Sequence, residues 1–261
     1  MKALMIAATG MHAQQTRVEV TSNNLANMNT TAYNSRRAEF ADLTYEQVQR
    51  PGAISASDGT VLPTGIQLGR GVRPVAVTMN VGQGAVKQTG GELDVAIEGN
   101  GYLEVTLPTG EQAFTRDGAM KVISEGQLVT TAGYPLVPDI TIPEDTRAVT
   151  INANGEVYAR FVDQAQEQLL GQLTLTTFVN EKGLEARGGN IYLQTEASGD
   201  PQTGEPGIDG RGTMLQGYLE GSTVDAVREI TDLIEAQRGY ELNAKVITAA
   251  DQMLAATTQI R

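Results

Sequence analysis

The chain has 261 residues, 40% of them hydrophobic, enough to fold as one large domain or two ordinary ones around a real core. Nineteen basic against 31 acidic residues leave a formal charge of −12, which repels nucleic acid and anionic lipid, so neither is expected as a partner. The absence of cysteine and a single histidine, His12, exclude disulfides, thiolate metal sites, histidine zinc centres and hydrolases with a histidine base; no catalytic residue, metal or cofactor is expected.

The N-terminal stretch predicts a helix. Leu4, Met11, Val18 and Leu25 recur every seven residues with Ala8 on the same face, while Gln14, Gln15, Arg17 and Glu19 form the polar remainder. Lys2 followed by "ALMIAATGM" has a faint signal-peptide character, but the apolar run is short and continues into the amphipathic pattern, so it reads as helix. No apolar run approaches the roughly 20 residues of a membrane span, and no membrane insertion is expected. The helix should stop in "NNLANMNTTAYN", residues 23–34. Asparagine competes for nearby backbone groups and tolerates left-handed conformations, both of which favour helix ends.

Residues 46–74 are polar and rich in glycine and proline, centred on the turn signal Asp58-Gly59. Two readings stay open: a flexible linker, or an extended hairpin alternating around Val48, Ile54, Val61, Ile66 and Leu68 that is braced by other subunits. The periodicity then switches to two. Val75, Val77, Met79 and Val81, then Leu93, Val95 and Ile97, then Leu103, Val105 and Leu107, read as half-buried strands. Val149, Ile151 and Ala153 face Val157, Ala159 and Phe161 across Asn154-Gly155, a strong hairpin signal. With 29 glycines and no tryptophan, many turns and thin layers are expected. Asp94, Glu98 and Glu104 could be imagined as the acid and base of a glycan hydrolase, but they read better as the wet face of a strand. Residues 197–212 form a turn-rich connector without calcium-loop spacing.

A second long helix closes the chain. Ser222 and Asp225 form an S-x-x-D box that predicts its start near Ser222. Leu233, Tyr240, Ile247 and Leu254 repeat every seven residues, flanked by Ile230, Ile234, Ala236, Ala244 and Ala250. At 1.5 Å per residue the two helices would run to ~40 and ~55 Å. Each carries an apolar stripe along its length and needs a partner, first of all the other helix. The expected fold is α+β. Its parts are an N-terminal coiled-coil helix and turn (1–40), an extended hairpin or linker (41–80), a mainly antiparallel β domain (81–215) and a C-terminal coiled-coil helix (216–261).

The runs "TSNNLANMNTTAYNSRRAEFADL", "EGNGYLEV", "FTRDGAMKV", "GQLVTTAGYPLVP" and "QGYLEGSTVDAVREITDLIEAQRGYELNAKVITAADQML" resemble the axial protein family of the bacterial flagellum, in this order and over nearly the whole chain. Within that family the resemblance is to the distal rod, with the hook and proximal rod as the alternative. It implies a self-assembling helical tube in the periplasm-spanning rod of the basal body. Its neighbours would be proximal rod and hook-side axial proteins, with ring proteins around it as a bushing and a flagellar type III apparatus that exports it. It also implies that the terminal helices form the assembly interface, through Leu4, Met11, Val18, Asn23, Asn24, Leu25 and Asn27 at one end. At the other end it implies Leu233, Gln237, Arg238, Tyr240, Asn243, Ile247 and Leu254. The asparagine amides would bond backbone in neighbouring subunits, and the hairpin at Asp58 and Gly59 would add rigidity. Three positions depart from the family pattern: Ala32 where glycine is common, Thr223 where asparagine is usual, and Gly239 where alanine is usual.

Overall fold

The structure, a computed structural model, describes residues 2–50, 64–161 and 166–259, with side chains to residue 256. The Asp58-Gly59 turn, Ile54 and Val61 lie outside the described residues. The chain forms two compact units that do not follow chain order: residues 1–26, 36–79 and 225–261 make one, residues 27–35 and 80–224 the other.

The first unit is built on helices α1 (Lys2–Ala26) and α2 (Ala226–Gln259), which pack along each other. They run antiparallel: Gly10 meets Asn243, Gln14 meets Gly239, Arg17 bridges Asp232 and Glu235, and Asn24 reaches Glu229. α2 begins three to four residues later than the Ser222 box predicts. Asp225 is the cap, its Oδ1 accepting the Val227 and Arg228 N–H groups at 3.0 and 3.3 Å, while Ser222 Oγ accepts only the Val224 N–H. Both residues are good caps, and the one whose carboxylate also meets the positive end of the helix dipole prevails.

Two short antiparallel ladders complete this unit. Strand β1 (Arg36–Asp42) pairs with β4 (Val72–Met79), and β2 (Glu46–Gln49) pairs with β3 (Ile66–Leu68), each with one bulge. The alternation of Val75, Val77 and Met79 does mark a strand, but only Met79 is buried; Val75 and Val77 are 54% and 44% exposed. A two-stranded ribbon has too little surface to bury its own apolar face.

The second unit is the β body. Its five-stranded sheet runs Leu136–Val137, Leu103–Thr106, Gln112–Thr115, Ile191–Leu193, Glu185–Gly188, and a three-stranded sheet joins Thr146–Ile151, Glu156–Phe161 and Glu167–Gln172. Val95, Ile97, Leu103, Val105, Leu128 and Val157 centre the core. The Asn154-Gly155 hairpin forms with Ile151 opposite Val157 and Val149 opposite Ala159; Ala153 lies in the turn instead of the strand. Central strands are buried on both faces, so Glu104 lies inside, 6% exposed, not on a wet face. Burial raises its pKa above the ordinary carboxylate value.

Candidate assembly surface

The axis of the helix pair does not run along the predicted heptads. Its most enclosed positions are small: Ala7, Ala13 and Thr21 on α1, Ala236 and Ala250 on α2. Small residues let the backbones approach, and a Cβ on Gly10 would lie 2.8 Å from Asn243 Oδ1. Gln14 and Arg17, expected on the polar side, face α2 instead. Leu4, Met11, Val18, Leu25, Leu233 and Ile247 flank this seam half-buried, and Tyr240 and Leu254 remain 45% and 43% exposed. Gln237 and Arg238 are exposed, and Asn243 is half-buried with its Nδ2 donating to the Gly239 carbonyl at 2.9 Å.

A second apolar face of α2 turns away from α1. Val227, Ile230 and Ile234, spaced three and four residues apart, are 76%, 46% and 45% exposed; further along the helix, Leu242, Val246 and Met253 are exposed as well, the last two in the seven-residue row of Asp232 and Gly239. Near the start of α1, Met5, Ala8, Thr9, Leu43, Thr44 and Arg70 line a recess of about 420 Å³.

The asparagine run ends α1 as expected, but Asn24 acts within its own chain. It is 1% exposed, its Oδ1 accepts the Arg36 N–H at 2.8 Å, and its Nδ2 donates to the Arg36 carbonyl at 2.8 Å and to Glu229 Oε1 at 3.1 Å. The amide thus mimics a neighbouring strand and joins the end of α1, the start of β1 and the first turn of α2. Asn23 is exposed; Asn27 is half-buried, and its Oδ1 accepts the Thr30 hydroxyl at 3.1 Å.

In the β body, three of the conspicuous sequence runs converge on a buried ion pair that the sequence did not single out. Arg116, from "FTRDG", points both Nε and Nη2 at Oε2 of Glu220, from "QGYLEG", each at 2.9 Å. Its Nη1 and Nη2 also donate to the carbonyls of Gly101 and Gly99, from "EGNG", at 3.0 and 3.1 Å. Glu220 Oε1 accepts the Gly84 N–H at 2.8 Å, and its backbone carbonyl accepts the Ala32 N–H at 2.9 Å. Next to this pair, a Cβ on Gly118 would overlap the Val95 carbonyl, which explains the glycine after Arg116-Asp117. The Arg116 guanidinium lies over the Tyr102 ring, 5.8 Å from its centroid, and the Tyr102 hydroxyl donates to Glu181 Oε2 at 3.0 Å; burial raises its pKa.

The loop 27–35 docks in this same body. Ser35 N–H donates to Thr223 Oγ1 at 2.8 Å, Thr223 N–H to the Tyr33 carbonyl at 3.0 Å, and Asn190 Nδ2 to the Thr31 carbonyl at 2.7 Å. Thr223 is thus tied to this loop by both its side chain and its backbone. Ala32 sits at φ 53°, the left-handed region that glycine adopts without strain. Asp94, Glu98 and Glu104 pair with different segments, around Ala119, Thr213 and Phe114 respectively, and do not form an acid and base set on one strand face.

Three family profiles match the chain. One described as "Flagella basal body rod protein" covers residues 4–33, the "Flagellar hook protein FlgE/F/G D1 domain" covers 96–159, and the "Flagellar basal body rod FlgEFG protein C-terminal" covers 215–260. The chain is 50% identical to the flagellar basal-body rod protein FlgG of Caulobacter vibrioides over all of both chains. It is 48% identical to that of Agrobacterium fabrum over 97% of each, and 34% identical to that of Bacillus subtilis, again over 97% of each.

Proposed function

The chain belongs to the flagellar basal-body rod protein family and is a structural subunit of the basal body, not an enzyme; from that membership we propose that it self-assembles into the distal rod. In this reading the rod is a hollow shaft crossing the periplasm, transmitting torque towards the hook and conducting exported subunits. Full-length similarity to relatives named as rod proteins supports a rod subunit over the hook.

The observation that carries the assembly reading is the exposed second face of α2. Val227, Ile230 and Ile234 form an exposed apolar patch on α2, and Leu242, Val246 and Met253 leave further apolar surface exposed towards its C-terminal end, surface of the kind that marks an interface. Neighbouring copies would cover that face and close over the flanking heptad residues, giving coiled-coil packing between subunits as well as within one. Two helices held mainly by alanines are marginal alone. The helical parts of residues 1–40 and 216–261 would therefore order fully on assembly, around a β body that folds by itself with the loop 27–35 and residues 216–224 docked in it. The segment 41–80 would act as an extended hairpin braced between subunits. Its exposed Tyr45, Val48, Ile66 and Leu68 support this reading.

Electron microscopy of the purified chain tests the proposal: tubes are expected, and a chain that stays monomeric under all polymerising conditions refutes it. Once neighbouring copies cover these half-buried positions, Leu25→Asp or Ile247→Asp would bury a charge at a cost of several kcal/mol and should stop polymerisation while the β body stays folded.

A further inference from the structure

We propose that Glu220, held by Arg116, is a junction residue that gathers the segments through which the chain enters and leaves the β body, so that these crossings carry mechanical load together. The inference rests on the shaft reading above. The chain passes between the two units at 26/27, 35/36, 79/80 and 224/225. Four separate peptide crossings, each free to move, would behave as flexible linkers.

Within the β body they are not separate. Glu220 holds the outgoing loop by its carbonyl, through Ala32, and the returning segment by its carboxylate, through Gly84. Its own strand leads directly to the last crossing. Around it, the Asn80 N–H donates to the Ser35 carbonyl at 2.8 Å, Ser35 N–H to Thr223 Oγ1, and Gly221 N–H to the Ala85 carbonyl at 2.9 Å. The ends at Ser35, Asn80 and Thr223–Val224 are thus laterally bonded close to Glu220, and the segment that enters at Asn27 is tied in at Ala32. Arg116 links that knot to the interior, because its other donors grip the Gly99 and Gly101 carbonyls beside the buried strand Val95–Glu98. Water has little access to compete for these bonds: the Glu220 side chain is 2% exposed. A pull on one crossing segment is shared by the others and passed into the core.

The test uses the full chain with Glu220→Gln and, because that variant leaves Arg116 unpaired, the apolar double variant Arg116→Met/Glu220→Leu. Replacing a buried ion pair by apolar side chains is often neutral for stability, yet it removes the acceptor for Gly84. Amide exchange at Gly84, Ala32 and Asn80 is expected to rise at least tenfold, while Val105 and Phe114 keep their protection. Cells carrying the double variant should build rods in normal number but lose at least half their rotation speed in viscous medium. A uniform loss of protection across the body overturns the proposal, since Glu220 would then be an ordinary core residue. Normal rotation under load overturns it as well, as does a folded variant that builds no rods. If the unaltered chain builds no rods, the shaft reading fails by itself, and the exchange pattern still decides whether Glu220 gathers the crossings.

Discussion

The Arg116 guanidinium and the Glu220 carboxylate, 104 residues apart in sequence, meet at 2.9 Å with side chains 7% and 2% exposed. Such a pair adds little net stability against a well-packed apolar replacement, because both ions must be stripped of water, but losing one partner strands the other. Arg116→Met alone is therefore expected to cost about 3–5 kcal/mol, read as a fall in the denaturation midpoint of the β body. The double variant with Glu220→Leu should recover most of that loss. Equal midpoints for the single variant and the parent would mean that the pair is not desolvated.

Ala32 sets two opposed effects against each other. Its left-handed backbone costs about 1–2 kcal/mol that glycine avoids, while its 3% exposure means that the methyl contributes burial worth about 0.8 kcal/mol. Ala32→Gly should consequently lie within about 1 kcal/mol of the parent. Ala32→Val adds branching to a left-handed, enclosed site and should lower the midpoint sharply. Thermal unfolding of the three proteins checks the order, and a valine variant as stable as the glycine one contradicts the assigned backbone.

The limits of reading this chain from sequence follow from which interactions are local. A seven-residue repeat is written along one helix, so both helices and their need for partners were legible. Which face of α2 meets α1 was not: Ala236, Gly239 and Asn243 carry a weak hydrophobic signal, yet they permit the closest approach. The asparagine run announced a helix end, but the task of Asn24 depends on Arg36 returning to it twelve residues later. Leu103 and Val105 mark a strand, but nothing in a period of two distinguishes one buried face from two, so the burial of Glu104 is not written in the alternation. Arg116 and Glu220 belong to no period at all. They were visible only as members of runs that resemble a family, and tertiary structure alone supplies the reason for those runs.

Gly239 offers a stabilising change. In a helix interior glycine costs about 1 kcal/mol relative to alanine. A methyl here would meet Gln14 Cδ at 3.0 Å, a flexible side-chain end whose Oε1 is buried without a hydrogen bond among the described residues. Gln14 loses no bond to that oxygen by moving. Gly239→Ala should raise the helical circular dichroism of the full chain and its resistance to heat by up to about 1 kcal/mol. A loss of helix would mean that Gln14 cannot yield and that the close approach at Gly239 is required.

Glu229 links the stability of the helix pair to pH. It is half-buried at the first turn of α2, accepts a hydrogen bond from Asn24 Nδ2, and faces Asp232, Asp225 and Arg228. Burial, first, and the two carboxylates raise its pKa above the ordinary 4.5, while the Asn24 bond and Arg228 oppose the shift. In the window between 4.5 and that raised value the folded helix pair binds the proton more tightly than the unfolded chain does, so stability rises as pH falls. The gain is complete below 4.5, where both states are protonated, and is lost as pH climbs through the folded value. Glu229→Gln keeps an acceptor for Asn24 and removes the titration. Compared with the parent, its helix stability should be as high or higher at neutral pH, and the rise on acidification should be smaller. Parallel pH profiles for the two proteins, followed by helical circular dichroism during thermal melts from pH 7 to pH 4, would show that Glu229 remains solvated and that its contact with Asn24 does not hold in solution.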